Sequence, residues 1–489
     1  MTELNRHTID FRLALIPVLA TLFICCGMLI SESSTWIIIA AISAAPLLVW
    51  MIVAQTEKLV YLLFILIPVS IPLDIGGGSN IGFPSEALIL VIVIYIVFRS
   101  AIQSFIPKNI WQHPLVVLLL AEIVWMVICG ITCDQPVVSM KRVFMRALFV
   151  QLFLIFGIYL FTKNKSKYYL LYLLYGMGMI VPVVASYLFH QKFNFAQAAV
   201  YRMCAPFFVD HTSYGACIAF LLPMLLILTF CNNKIKLRGA VHFFVVALTI
   251  LLVAAVILSF SRAAWISLIV AALFGLLIVL GVKWKGFMAL LLAGGIATWY
   301  YSDQIYITIS KNDSISNKGN IGDHLLSSTN VQSDASNTER INRWMCAWKI
   351  AVDQPITGCG PGMYQFVYGK YQERIHMTRI STFSGNRGHA HSEYFTQLSE
   401  TGFPGALLFL TIVFGVIGYG LKVVHHERDK RLKLMLYGVV LGLITFYVHG
   451  IFNAFLDTDK MAVLVFGSIA ILISADLRQK QENVQVKNV

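Results

Sequence analysis

The residues of this 489-residue chain best equipped to move a proton are two histidines flanking one alanine, His389 and His391, with Glu393 directly after and Glu400 further on. A neutral imidazole can take the proton of an attacking hydroxyl near neutral pH. A His-x-His pair is also half of a metal site, but no third ligand stands at a convincing spacing. A histidine before a helix can equally serve as a cap. No metal and no cofactor are expected.

Arginines form the second group. Arg262 sits in SFSRAAW between two apolar runs, where its planar fork suits a diphosphate and its long stem suits simple anchoring at a membrane edge. Arg142 and Arg146, in KRVFMR, are spaced to share one helical face. Arg202 lies in YRMCAPFF, and Arg340 begins TERINRWMCAWKIAVD. In YVHGIFNAFLDTD the spacing puts His449, Asn453 and Asp457 on one face near the end of a span, where polar groups face a bundle interior or a cavity. Interhelical packing accounts for them nearly as well, and for Glu122 inside an apolar run. Arg142, Arg146, Arg202, His389, Glu393, His449 and Asn453 are the substrate-binding candidates.

The elements that must position these residues are membrane helices. Hydrophobic residues make up 58% of the chain and charged residues 12%, with a mean hydropathy of +0.76, which excludes a water-soluble globular domain. Apolar runs long enough to cross ~30 Å of hydrocarbon recur throughout. The pattern predicts an all-α polytopic protein of about fourteen spans, near 13–30, 36–53, 59–73, 86–98, 114–132, 144–162, 168–189, 212–231, 240–259, 263–281, 286–301, 403–421, 434–455 and 460–475. The run 13–30 follows Arg6 and Arg12 as a signal peptide would, but it is long and lacks a small-residue cleavage site, so it reads as a retained helix.

With the N-terminus inside, Lys and Arg crowd every alternate short loop, so both termini are expected in the cytoplasm. The same bias absorbs most of the +13 net charge, and no nucleic-acid partner is expected. Three regions follow: a bundle at 1–301, an extracytoplasmic loop at 302–402, and the last three helices with a cytoplasmic tail at 403–489. Within the loop, 310–337 is rich in Ser, Asn, Asp and Gly and reads as a flexible insertion. In 338–353, Ile341, Trp344, Met345, Trp348 and Ala351 recur at helical spacing, predicting an amphipathic helix with these residues on its apolar face. The turn PITGCGPG follows, and then a short helix leads into the next span. The nine cysteines form no Cys-x-x-Cys pair. Cys346 and Cys359 are read as free thiols rather than a disulfide.

SFSRAAW, the ER-x-x-x-W helix, PITGCGPGMYQF and HAHSEYFTQLSETGFPG together resemble the O-antigen ligase and polysaccharide polymerase superfamily. The resemblance covers the C-terminal half by motif and the rest by helix pattern. Ser392 stands where the family has an asparagine, while Glu400-Thr401-Gly402 fits its Glu-x-Gly. The resemblance implies a GT-C-like bundle with its active site under the large outer loop. It matches His391 to the family's essential histidine and Arg262 and Arg340 to its two essential arginines.

The activity so implied is metal-independent glycosyl transfer, in bacterial cell-surface and cell-wall polysaccharide synthesis at the plasma membrane. The donor would be a glycan on polyprenyl (undecaprenyl) diphosphate, and the acceptor a hydroxyl of a glycan or lipid. Partners would be membrane lipids and a chain-length regulator or flippase. Polymerisation of repeat units, as in a teichuronic-acid type polymerase, is the preferred reading and transfer to a lipid core the alternative. Asp457-Thr458-Asp459 spells a metal-binding Asp-x-Asp but falls in a short turn that caps the last helix. A transporter is the rival of another class, disfavoured by ionisable groups that cluster outside rather than at midplane.

Overall fold

The structure is a computed structural model. It describes residues 50–74, 80–163, 167–196, 199–281, 335–373 and 388–487, with isolated positions at 286, 289, 300, 377 and 381. The expected span 13–30, most of 36–53 and 286–301, and most of the insertion 310–337 lie outside the described residues.

The chain is a multi-pass helical bundle, with ten helices among the described residues long and apolar enough to cross a membrane. After α1 (Thr56–Leu66) come a two-stranded antiparallel hairpin, β1 (Ile71–Asp74) and β2 (Asn80–Phe83), and then α2 (Ser85–Ile102). The bundle continues through α3 (Pro114–Thr132), α4 (Pro136–Lys163), α5 (Leu170–Gln191), α6 (His211–Phe230), α7 (Gly239–Leu258) and α8 (Arg262–Val279). The loop helix α9 (Ala335–Asp353) precedes α10 (Glu393–His426), α11 (Lys430–His449) and α12 (Asp459–Lys487).

The expected span at 59–73 is cut short: a single 3-10 turn, Ile67–Val69, follows α1 and the chain leaves as β1. Pro68 and Pro72 supply no backbone donor there, which a continuing helix would need. α4 starts at Pro136, ahead of the expected boundary, so Arg142 lies within the helix together with Arg146 rather than before it. It runs to Lys163 through a buried π-helical stretch, Val150–Phe156.

Polar side chains join the helices across apolar faces, as Tyr172 on α5 meets Ser468 on α12 at 2.7 Å and Thr229 on α6 meets Thr249 on α7 at 3.0 Å. Close approach needs small residues, and a Cβ at Gly178 would lie 2.2 Å from the Ile65 carbonyl oxygen of α1. Helix α12 is the most enclosed of the ten, whereas α2, α7 and α8 present broad apolar faces outward.

α10 is two helices in one. Gly402 breaks it with φ 68°, ψ −173°, so a short arm, 393–401, folds back against the span 403–426. The ring of Tyr394 stands 5.6 Å from that of Phe409, whereas a straight helix would separate them by ~22 Å. This is the short helix leading into a span that the sequence anticipates. The arm's last three carbonyls would be orphaned, but each finds a donor: Cys359 N bonds Ser399 O at 2.9 Å, Gly360 N bonds Glu400 O at 3.0 Å, and Trp125 Nε1 bonds Thr401 O at 2.9 Å. The turn PITGCGPG therefore caps the arm. A Cβ at Gly402 would sit 2.3 Å from Ile356 O, so only glycine fits this corner.

The amphipathic helix exists as α9, but the face it buries is rotated from the expected one. Glu339, Asn342, Arg343, Cys346, Ala347 and Ile350 are buried; of the expected five, Ala351 is buried too, Ile341, Trp344 and Met345 are partly buried, and Trp348 is exposed against the edge of Phe403. Two charges on the inner face are tolerated because they pair with each other, Arg343 Nε to Glu339 Oε1 at 2.8 Å. Cys346 and Cys359 are buried free thiols.

Candidate active site

His391 lies one residue ahead of Ser392, whose hydroxyl caps the short arm by accepting from Phe395 N at 3.4 Å. The backbone at His391 is left-handed, φ 49°, a conformation costing about 1–2 kcal/mol for a residue with a Cβ. Two contacts hold it there. The His391 N–H donates to His389 Nδ1 at 3.0 Å, and its carbonyl accepts from Trp344 Nε1 of α9 at 3.3 Å. Accepting at Nδ1 fixes His389, when neutral, as the tautomer protonated on Nε2.

The two imidazoles meet edge to face with centroids 4.4 Å apart. Both are held neutral. Burial lowers His389 to about 4, with Arg343, Arg142 and Arg340 acting in the same direction against Asp210. Burial also lowers His391, to about 2, helped by His389, Arg343 and Arg340 and opposed by a hydrogen bond from Asn453. His391 Nδ1 is buried and has no hydrogen-bond partner among the described residues, so it remains able to take a proton.

His449 closes the other side. It is the last residue of α11, and its Nε2 accepts from Asn453 at 3.1 Å. The expected four-residue face does not form beyond it, because α11 ends at His449 and Asn453 and Asp457 belong to the connection 450–458. Glu393 braces that connection. Its backbone N–H donates to Gly450 O at 2.8 Å, and its Oε1 accepts from Phe455 N at 2.5 Å and Leu456 N at 2.7 Å.

Arg340 and His391 come together, since the charge of Arg340 reaches both His389 and His391. It also lies within electrostatic reach of His449 and of His211 at the start of α6. The turn carrying Arg262 packs on that same helix end: a Cβ on Gly215, one turn after His211, would lie 2.9 Å from Ser261 Cβ and 3.1 Å from Ser259 Oγ. Arg202 is exposed on the short helix Val200–Met203, whose Tyr201 ring meets that of His211 at 5.2 Å. The first turn of α6 is thus the hub around which Arg340, the Arg262 turn and the Arg202 helix assemble.

Arg142 and Arg146 adjoin this cluster, within electrostatic reach of Glu393, in a network with the chain's own carboxylates. Arg146 Nη2 is 2.5 Å from Asp457 Oδ1 and Nη1 is 3.4 Å from Glu122, while Arg142 Nη2 lies 2.5 Å from Asp457 Oδ2 and 3.7 Å from Glu400. Burial raises Asp457, but the two guanidinium groups outweigh it and hold the carboxylate below its usual range. Asp457→Asn leaves the buried Arg146 and the partly buried Arg142 short of counter-charge and should cost about 3–5 kcal/mol. Thermal unfolding in detergent measures this; an unaltered melting temperature would refute a structural role for the network.

Sequence reasoning missed Arg343, Asp210 and His211. Arg343 Nη1 donates to His389 O at 3.1 Å, and its guanidinium lies 4.9 Å from the centre of the Tyr368 ring. Asp210 caps α6 by accepting from Ser213 N at 2.7 Å and pulls against the depression of His389. The Asp before the run HTSYGACIAF is a readable capping signal. Nothing local marks its nearness to residues in the 388–392 segment.

Residues 247–410 match the family model for O-antigen ligase. The match takes in Arg262, Arg340, His389, His391, Glu393 and Glu400, whereas Arg142, Arg146, Arg202, His449 and Asn453 fall outside it. This match to the motif-bearing stretch supports the resemblance to the O-antigen ligase and polymerase superfamily. No curated protein matches the chain.

Proposed function

We propose that this membrane protein transfers a glycan from a polyprenyl-diphosphate carrier to a hydroxyl acceptor at the outer end of the bundle, polymerising lipid-linked repeat units. The observation that carries this reading is a buried, neutral imidazole with a free nitrogen, held beside Arg340 and Arg343 at the rim of a membrane bundle.

In the reaction, the acceptor oxygen bonds the anomeric carbon of the donor sugar as its proton passes to His391. The bond from that carbon to the phosphate oxygen breaks, and the prenyl diphosphate leaves with the electron pair. Arg340 and Arg262 stabilise the charge that gathers on the leaving oxygens, an interaction strongest in the transition state. Without a bound donor His391 is a weak base. The diphosphate brings negative charge beside the ring and raises its affinity for the proton. His449 and Asn453 line the acceptor side, and Arg202 marks the approach of the anionic donor.

A direct test supplies purified protein with one lipid-linked repeat unit. A ladder of longer lipid-linked chains supports polymerisation, and its absence with intact, folded protein refutes it. The family description favours ligation as a second reading. Transfer to a lipid core alone, with no ladder, would establish that instead.

The lowered His391 value also fixes a pH expectation. A group depressed to about 2 is already deprotonated in the free enzyme at every working pH. The acid limb of kcat/KM should therefore not fall near 6.5, the ordinary histidine value. A profile of kcat/KM between pH 5 and 8 with a limb centred there would contradict a pre-neutral base.

A further inference from the structure

We propose that a cavity between α5, α6 and α7 holds the phosphate-proximal isoprenoid segment of the donor lipid. The inference rests on the transfer reaction above and adds the place where the tail enters. The cavity measures about 280 Å³ and is lined chiefly by Val183, Val184, Leu251, Ala254, Ala255 and Leu258. Its other walls, Tyr187, His190 and Tyr214, put it at the same end of the bundle as the candidate active site. Tyr214 stands one helical turn below His211, so cavity and site share one wall.

Its polarity is graded as an amphiphile requires. The walls are chiefly apolar, aliphatic side chains joined by Met203 and two tyrosine rings with Ser186 and His190 as the polar members, and Val184 and Tyr187, each nearly half exposed, open the cavity sideways to the lipid-facing surface. At the roof is His190, only 1% exposed. Its Nε2 donates to the Ala196 carbonyl oxygen at 3.0 Å, and its Nδ1 is buried with no hydrogen-bond partner among the described residues. The His190 ring meets Phe260 at 6.0 Å, in the turn that leads to Arg262. A tail lying in the cavity would therefore bring its first phosphate to the turn where Arg262 awaits it. A larger apolar groove between α3 and α10, about 730 Å³ and lined by Trp125, Pro404 and Leu407 among others, has no such connection to the Arg262 turn.

The test uses the full-length protein in phospholipid nanodiscs with a polyprenyl diphosphate bearing a diazirine on its first isoprene unit. Label should map to peptides of α5 and α7, and unlabelled polyprenyl diphosphate should compete, whereas polyprenol and phospholipid should not. In parallel, Ala255→Phe fills the cavity and Ala254→Phe narrows its rim. Each should raise KM for a long-chain donor roughly tenfold or more, with little change for a donor carrying two isoprene units. The rim variant keeps the test decisive should the buried one fail to fold. Label on α3 and α10, competition by ordinary phospholipid, or an unchanged KM in an active enzyme would overturn the cavity assignment alone. An enzyme inactive on every prenyl-diphosphate glycan and taking no label would instead refute the transfer reaction on which it rests.

Discussion

His391→Ala should lower glycan transfer by about 10²–10⁴-fold, the usual contribution of a positioned general base. The loss should appear in kcat more than in KM, because the imidazole acts on a proton in flight. The left-handed backbone at this position is uncomfortable for alanine as for histidine, so the fold is not expected to gain or lose much. His391→Gln supplies the control: it retains size and a hydrogen-bonding end but cannot accept the proton as a base, and it should be equally inactive. A variant with full turnover of lipid-linked repeat units, confirmed as folded by its melting temperature, would exclude His391 from the chemistry.

Arg340→Lys and Arg262→Lys should each reduce turnover by roughly 10²–10³-fold, the scale seen when one preorganised donor to a developing oxyanion is removed. A lysine keeps the charge but offers a compact ammonium in place of a planar fork that grips two oxygens together. Charge alone therefore should not rescue activity. The two variants separate by their structural neighbours. Arg340 sits among four histidines, His211, His389, His391 and His449, whereas Arg262 begins α8 on a turn clasped to α6. Equal and full activity in both lysine variants, measured with saturating donor, would remove the diphosphate from this end of the bundle.

Much of the fold was readable because a bilayer enforces it: α3 and α6 fall within a residue of the hydropathy boundaries, and the short arm before the span at 403 was foreseen. Where proline or a carboxylate partner intervened, the reading slipped. The span expected at 59–73 stopped at Pro68, and the last turn expected of α11 was replaced by a connection that Glu393 holds from another helix. Arg142 and Arg146 illustrate the deeper reason. Their type and spacing point to an anionic ligand, and the anion nearest to them among the described residues is the chain's own Asp457, more than 300 residues away in sequence. Such pairing leaves no local trace. The same holds for α9, where periodicity located the helix but the Glu339–Arg343 pair turned its inner face.

The fold-back at Gly402 sets the altitude of the reaction. With Tyr394 beside Phe409, the arm carries its histidine end back alongside the span, to a level roughly 9 Å along that helix from its Gly402 end. In the proposed reaction the lipid headgroup therefore need not climb out of the bilayer. It is the acceptor sugar, stripped of some of its water, that has to dip toward the hydrocarbon. Stiff or heavily branched glycans should find that descent hardest, so backbone pliancy near the reactive hydroxyl becomes a selection rule alongside sugar identity.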